Sequence, residues 1–209
     1  MRLIETIAEK IPQNFVTDFE MKHLLTGSSH SRYGVVKRAL QKGELIHLRR
    51  GLYCLGQRYR HQPLDLFALA PKIYGPSYIS LESALSFHGW IPEAVPTITS
   101  STSKRSRSFE TPVGLFTYST IACEPFFEGV SVEDDKGQVL LARPWKAIAD
   151  YVYCYKKDWK GIYPLMHSLR IEEDHLHQTT RQELESLQKV FRSRRVGRFL
   201  KGILKDLQL

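Results

Sequence analysis

NFVTDFEMKHLLTGSSHSRYGVVKRALQKGELIHLRRGLYCLG, residues 14–56, carries three secondary-structure signals in close succession. Phe15, Val16, Phe19, Met21, Leu24 and Leu25 recur at helical spacing, with Thr17 placed as an N-cap ahead of Asp18 and Glu20. Gly27 breaks the chain, and Ser28 or Ser29 caps a second helix that runs to about Gln41 and stops at Gly43. Its apolar side is Tyr33, Val36, Ala39 and Leu40; its other side offers Ser29, Ser31, Arg32, Lys37 and Arg38. Leu45–Leu48 and Leu52–Leu55 then read as a two-stranded ribbon turning at Arg49-Arg50-Gly51. Helix, turn, basic helix and a ribbon with arginines at its tip spell a winged helix-turn-helix.

That order of parts implies a chemistry. A second helix of this kind fits the major groove, where side chains from its N-terminal half reach base edges. Arg32, Lys37 and Arg38 are the leading candidates for DNA contact. Ser29 and Ser31 are candidates too, donating to phosphate, with helix capping as the competing job for one of them. Tyr33 reads as core. Arg49 and Arg50 at the ribbon tip are placed to meet phosphates or enter the minor groove. The competing reading is a domain of the same shape used to dock a protein.

The rest of the chain narrows the class. At 209 residues it forms one large or two small domains with ample core. No run approaches the roughly 18 apolar residues of a membrane span, and the N-terminus, MRLIETIAEKIPQ, lacks the apolar run of a signal peptide. Cys54, Cys123 and Cys154 are odd in number and far apart, which supports neither a disulfide framework nor a zinc site and fits a reducing cytoplasm. Charge is uneven: residues 1–62 carry 11 Lys/Arg against 5 Asp/Glu and residues 189–209 carry 7 against 1, around an acidic middle. Basic ends suit nucleic-acid contact when combined with the ribbon.

The expected fold class is α+β, with a winged module and linker over 1–62 and an α+β domain with antiparallel strands and a helical C-terminus over 63–209. Residues 2–11 form the first helix, ended by Pro12. Gln57–Gln62 reads as a solvated linker, Arg58, Tyr59 and Arg60 being able to extend a DNA footprint. A helix over Leu64–Ile73 follows, then one capped by Ser80 that buries Leu81, Ala84, Leu85 and Phe87 and stops at Gly89, with His88 at its end. Strands are expected at Thr97–Ser100 and Gly114–Tyr118 around the basic loop Lys104-Arg105-Ser106-Arg107. Val130–Glu133 and Gln138–Ala142 form a hairpin around Asp134-Asp135-Lys136-Gly137. Pro144 opens a helix to about Tyr155, and Gly161–Leu169, Thr180–Ser193 and Val196–Leu207 are helical.

Four motifs in this order, RRGLYCLG, YISLESALSFHGWIPE, TPVGLFTYSTI and LLARPWKAIADYVY, resemble the AbiEi antitoxin family of transcriptional regulators across nearly the whole chain. The resemblance implies an N-terminal winged domain that binds operator DNA, often cooperatively at inverted repeats, and a C-terminal domain that supplies antitoxicity. It also implies autorepression and a cognate nucleotidyltransferase-like toxin antagonised in the type IV manner, without a stable complex. No cofactor or metal is expected, and the chain is a monomer in solution or assembles cooperatively on DNA.

Two clusters fall outside that resemblance. The tail aligns Val190, Phe191, Val196, Phe199, Leu200, Ile203, Leu204 and Leu207 on one side. Arg192, Arg194, Arg195, Arg198 and Lys201 make a secondary basic surface, for DNA or an acidic partner in preference to a membrane. Glu172, Glu173, Asp174, His175 and His177 are the one dense set of metal-ligand types. They read as a solvated loop, with a metal-dependent hydrolase as the remote alternative. No glycine-rich phosphate loop or nucleophile elbow is present, so the chain is not expected to be an enzyme.

Overall fold

A computed structural model describes residues 3–11, 13–133 and 139–209. Arg2, Pro12, Gln138 and the expected hairpin turn at Asp134-Asp135-Lys136-Gly137 lie outside the described residues. The chain is mixed α and β, with two hydrophobic cores.

The N-terminal part runs α1 (Leu3–Lys10), β1 (Phe15–Thr17), α2 (Asp18–Leu24), α3 (Ser29–Gln41), β2 (Leu45–Arg49) and β3 (Leu52–Leu55). Thr17 caps α2 in a reciprocal box: its hydroxyl accepts from the Glu20 amide at 3.2 Å and the Glu20 carboxylate accepts from the Thr17 amide at 2.7 Å. Phe15 and Val16, whose spacing predicts that they belong to the same helix, instead form β1, which pairs antiparallel with β3 and completes a three-stranded sheet in the order β1-β3-β2. Two apolar residues ahead of a cap fit either period, and pairing with β3 decides between them. Gly43 takes φ +67° just past α3, and Gly51 takes φ +74° in the two-residue turn, conformations in which a Cβ is strained.

This sheet is apolar on both faces. Val16, Leu45 and Leu55 pack with Leu3, Ile4, Ile7, Met21 and Ala39 in the smaller core. Phe15, Leu48, Leu52 and Cys54 join the larger core of the second part. Residues 57–62 are solvent-facing at Gln57, Arg58, Tyr59 and His61, as a linker's would be, but the segment is also braced. Gln57–Tyr59 forms a 3-10 turn, Arg60 donates through Nε to the Leu55 carbonyl at 2.7 Å, and Asn14 donates to the Gln62 carbonyl at 3.3 Å.

The second part contains α4 (Leu66–Ile73), β4 (Ser77–Ile79), α5 (Leu81–Phe87), β5 (Ile98–Thr102), β6 (Arg107–Thr111), β7 (Gly114–Thr120), β8 (Val130–Glu133), β9 (Val139–Ala142), α6 (Pro144–Cys154), α7 (Tyr163–Ser168), α8 (Glu173–His177), α9 (Arg181–Val190) and α10 (Arg194–Asp206). Its six strands lie in the order β6-β7-β5-β4-β9-β8. The sheet is mixed rather than antiparallel: β5 runs parallel to β7 and β4 parallel to β9, while the other pairs are antiparallel. The three-residue β4 is too short to show a period, so Tyr78 reads from sequence as the approach to a helix. Val196, Phe199, Leu200 and Ile203 seat α10 in the larger core, as the tail's apolar stripe predicts. No helix among the described residues is long and apolar enough to cross a membrane.

Candidate functional site

The side chains singled out from the sequence divide into three groups. The first lies on α3. Ser28, not Ser29 or Ser31, is the N-cap: its hydroxyl accepts from the Ser31 amide at 3.2 Å. Ser29 and Ser31 are exposed, with no capping role. His30, Lys37 and Gln41, spaced i, i+7 and i+11, point outward together, flanked by Arg38 and by Tyr33, which is 66% exposed and therefore not core. Arg32 is half-buried, in register with Val36 and Ala39, and its guanidinium donates to the Gly27 carbonyl at 2.7 Å. It clamps the turn ahead of α3 instead of joining the outward row. Helix α3 holds no acidic residue, so its partly positive N-terminus and its cations stay uncompensated along its own length. His30 is the exposed residue of this face that sequence reasoning passed over, and Tyr33 the one it assigned to the core; the wheel around Lys37 was the available signal.

The second group is the turn between β2 and β3. Arg50 is exposed at its tip. Arg49 is half-buried, with its guanidinium 5.5 Å from the centroid of Phe109 on β6, so the arginine pair splits into one exposed cation and one packed against the second part. The amide of Asp18 donates to the Gly51 carbonyl at 2.8 Å, which fastens the turn to the start of α2. Burial, and then the Asp18 carboxylate beside it, push the Tyr53 phenol up from its ordinary value.

The third group is the tail. Arg194, Arg198 and Lys201 line a groove around Gly197 of about 540 Å³. Arg198 pairs with Asp158 at 3.1 Å. Arg195 turns inward, half-buried, and donates to the Tyr153 carbonyl at 3.3 Å, which removes it from the basic surface; Arg192 is exposed before α10.

The acidic and histidine cluster resolves differently from its reading as a loop. Residues 173–177 form α8, and the His175 ring stacks on Trp90 with centroids 5.4 Å apart. Among the described residues, no three His, Cys, Asp or Glu side chains converge as metal ligands do. Ser80 is the N-cap residue of α5, but its hydroxyl makes no capping bond and is drawn into a buried network instead. Phe87 is 56% exposed rather than buried, and His88 bonds the Ala142 carbonyl at 3.0 Å.

That network was invisible in the sequence. Asp150 on α6 accepts at Oδ2 from the hydroxyls of Tyr78 at 2.9 Å, Ser80 at 2.7 Å and Ser101 at 3.0 Å, and at Oδ1 from Lys146 Nζ at 2.7 Å. Lys146 and Asp150 are fully buried. Burial, with the Asp150 carboxylate adding to it, pushes the Tyr78 phenol well up. Burial also raises the Cys123 thiol despite Lys146 beside it. An enclosed ion pair of this kind is closed to solvent and ties α6 to β4 and β5.

The chain matches no protein-family model and no curated protein.

Proposed function

We propose that residues 1–62 act as a winged helix-turn-helix on double-stranded DNA and that the chain is a transcriptional autorepressor with antitoxin activity of the AbiEi type. The observation that carries the reading is the outer face of α3, where His30, Tyr33, Lys37 and Arg38 stand exposed on a helix without a carboxylate. The element order helix, strand, helix, helix, hairpin supports it, because that order places α3 ahead of the β2–β3 turn with Arg50 at the tip. In this reading α3 enters the major groove, Lys37 and Arg38 meet phosphate or guanine edges, and Ser29 donates to phosphate at the helix N-terminus. Antitoxicity toward a nucleotidyltransferase-like toxin rests on the sequence motifs, and a cytoplasmic location on the three scattered cysteines.

A second reading, docking of a protein by the same unit, draws on Phe19. It is 70% exposed beside a groove lined by Lys10, Ile11, Gln13, Glu20, His23 and Leu24.

The test is a gel-shift titration of the full chain on DNA just upstream of its own gene, repeated with Lys37→Ala and at rising salt. A specific, salt-sensitive shift that Lys37→Ala weakens supports repression, since each neutralised phosphate releases counterions. A full-chain protein that shifts no DNA at low salt, yet co-purifies with the product of a neighbouring gene, overturns the DNA reading in favour of docking. Antitoxicity is read separately, as growth rescue with the toxin driven from an unrelated promoter.

A further inference from the structure

Five cations and three aromatic rings meet where the two parts of the chain join. Arg49 at the end of β2 lies 5.5 Å from the Phe109 centroid. Phe109 packs on Tyr74 at 5.5 Å and on Tyr118 at 5.8 Å between centroids. The same Tyr74 ring carries Lys104 Nζ at 5.5 Å and the Arg107 guanidinium at 5.8 Å, and its hydroxyl donates to the Arg105 carbonyl at 3.1 Å. Arg107 and Phe109, two apart on β6, share one face of that edge strand, which puts Arg107 on the side where Arg49 sits. Lys104, Arg105 and Arg107 are exposed, as is Arg50 one residue along the turn. None of the five forms an ion pair among the described residues, whereas Arg198 on α10 does.

We propose that the β5–β6 loop continues the phosphate-binding track of the β2–β3 turn, so that one DNA backbone passes from Arg50 and Arg49 onto Lys104, Arg105 and Arg107. This rests on the DNA reading given above. The aromatic cluster explains why part of the track is fixed: Arg49, Lys104 and Arg107 lie over ring faces and are held in place without a carboxylate to neutralise them. A polyanion with closely spaced charges suits a row of such cations, and the row is continuous with the turn that the DNA reading already places on the duplex. Phosphate recognition of this kind carries affinity and position but no sequence information.

The experiment is fluorescence anisotropy of the full chain on duplex from upstream of its own gene, against salt concentration, for wild type, Lys37→Ala, Arg105→Ala and the triple variant Lys104→Gln, Arg105→Gln, Arg107→Gln. The slope of log affinity against log salt should become shallower by about 0.9 for each phosphate that is no longer neutralised, hence by about 2 to 3 in the triple variant. The weakening should be equal on a scrambled duplex. Arg105 is exposed and meets Tyr74 through its backbone, so Arg105→Ala carries the test if the triple variant melts early. Wild-type slopes in both loop variants, with binding still weakened by Lys37→Ala, overturn this proposal and leave the DNA reading standing. Absence of any salt-sensitive binding by the wild type overturns both.

Discussion

Replacing Asp150 with Asn should destabilise the protein far more than replacing Lys146 with Met, although each change removes one half of the same ion pair. Both side chains are fully buried, 2.7 Å apart. The introduced asparagine either keeps its oxygen for the Tyr78, Ser80 and Ser101 hydroxyls and turns its NH2 donor toward the Lys146 ammonium, or turns its neutral oxygen to the ammonium and faces the hydroxyls with the NH2. What remains around that ammonium is Cys123 Sγ at 3.4 Å and the faces of Phe191 and Tyr78 at 4.5 and 5.2 Å. Ring faces supply roughly 2 kcal/mol to a desolvated cation, well short of its forfeited hydration. A buried charge stripped of its partner costs about 3–5 kcal/mol. In Lys146→Met the volume is kept and the orphaned carboxylate still receives three O–H donors, each charge-assisted bond contributing about 1.5–3 kcal/mol. The expected cost there is about 1–3 kcal/mol. Urea unfolding followed by tryptophan fluorescence, for both single variants and the double variant, reads the three free energies. Against a total stability on the order of 5–15 kcal/mol, the Asp150→Asn cost would be large. A Lys146→Met cost equal to or above that of Asp150→Asn would refute the view that the hydroxyls, and not the ammonium alone, solvate the carboxylate.

Two further outcomes follow from the fold. A fragment of residues 1–62 should be much less stable than the same unit within the full chain, because Phe15, Leu48, Leu52 and Cys54 lose their cover. Each fully buried aliphatic or aromatic side chain contributes about 1.5–3 kcal/mol, and a cooperative thermal melt of the fragment matching the full chain would contradict this. The second concerns thiols. Burial, with Asp150 adding to it, pushes Cys154 up to about 12 from an ordinary value of 9.0, and burial raises Cys123 and Cys54 as well. Above pH 9 the unfolded chain releases these protons while the folded chain keeps them. The contribution of Cys154 should therefore fall by up to about 1.4 kcal/mol per pH unit between about pH 9 and 12, with Cys123 and Cys54 acting in the same direction above pH 9. Urea midpoints from about pH 8 to about 10.5, compared with a Cys154→Ala variant, check the slope; identical slopes would remove Cys154 from it.

What the sequence disclosed depended on how local each signal was. The Thr17 cap, the α3 span and the turn at Arg50-Gly51 are written in residues close together along the chain, and all three appear in the structure. The basic face of α3 was legible in part; Tyr33 escapes because one aromatic at the edge of an apolar stripe fits core or surface. The β1 and β4 strands, three residues each, carry no period of their own and exist because partners pair with them. The Lys146–Asp150 pair is i, i+4 on a helix, which reads from sequence as an ordinary solvated pair. What buries it is a sheet whose strands are distant in the chain, Ser101 standing 49 residues and Ser80 70 residues from Asp150, and neither hydroxyl gave a hint of its target. Arg49 likewise looked like the twin of Arg50 until Phe109, distant in sequence, took its guanidinium.

The packing of Arg49 on Phe109 bears on how the functions proposed for the two parts can be separated. A sheet with both faces buried, one in each core, couples the β2–β3 turn rigidly to the second part, and Arg60 and Asn14 brace the segment between them. Cutting the chain at residue 62 therefore does not test whether DNA binding resides in α3, because it also uncovers the sheet. Substitution of exposed side chains does test it. Lys37, Arg50 and Arg105 are exposed and their side chains cover neither core, so their replacement leaves both cores intact. If repression and antitoxicity are separate activities of one rigid body, Lys37→Ala should weaken the first and spare the second. Loss of both through a single exposed residue of α3 would mean that DNA binding is part of how toxicity is relieved.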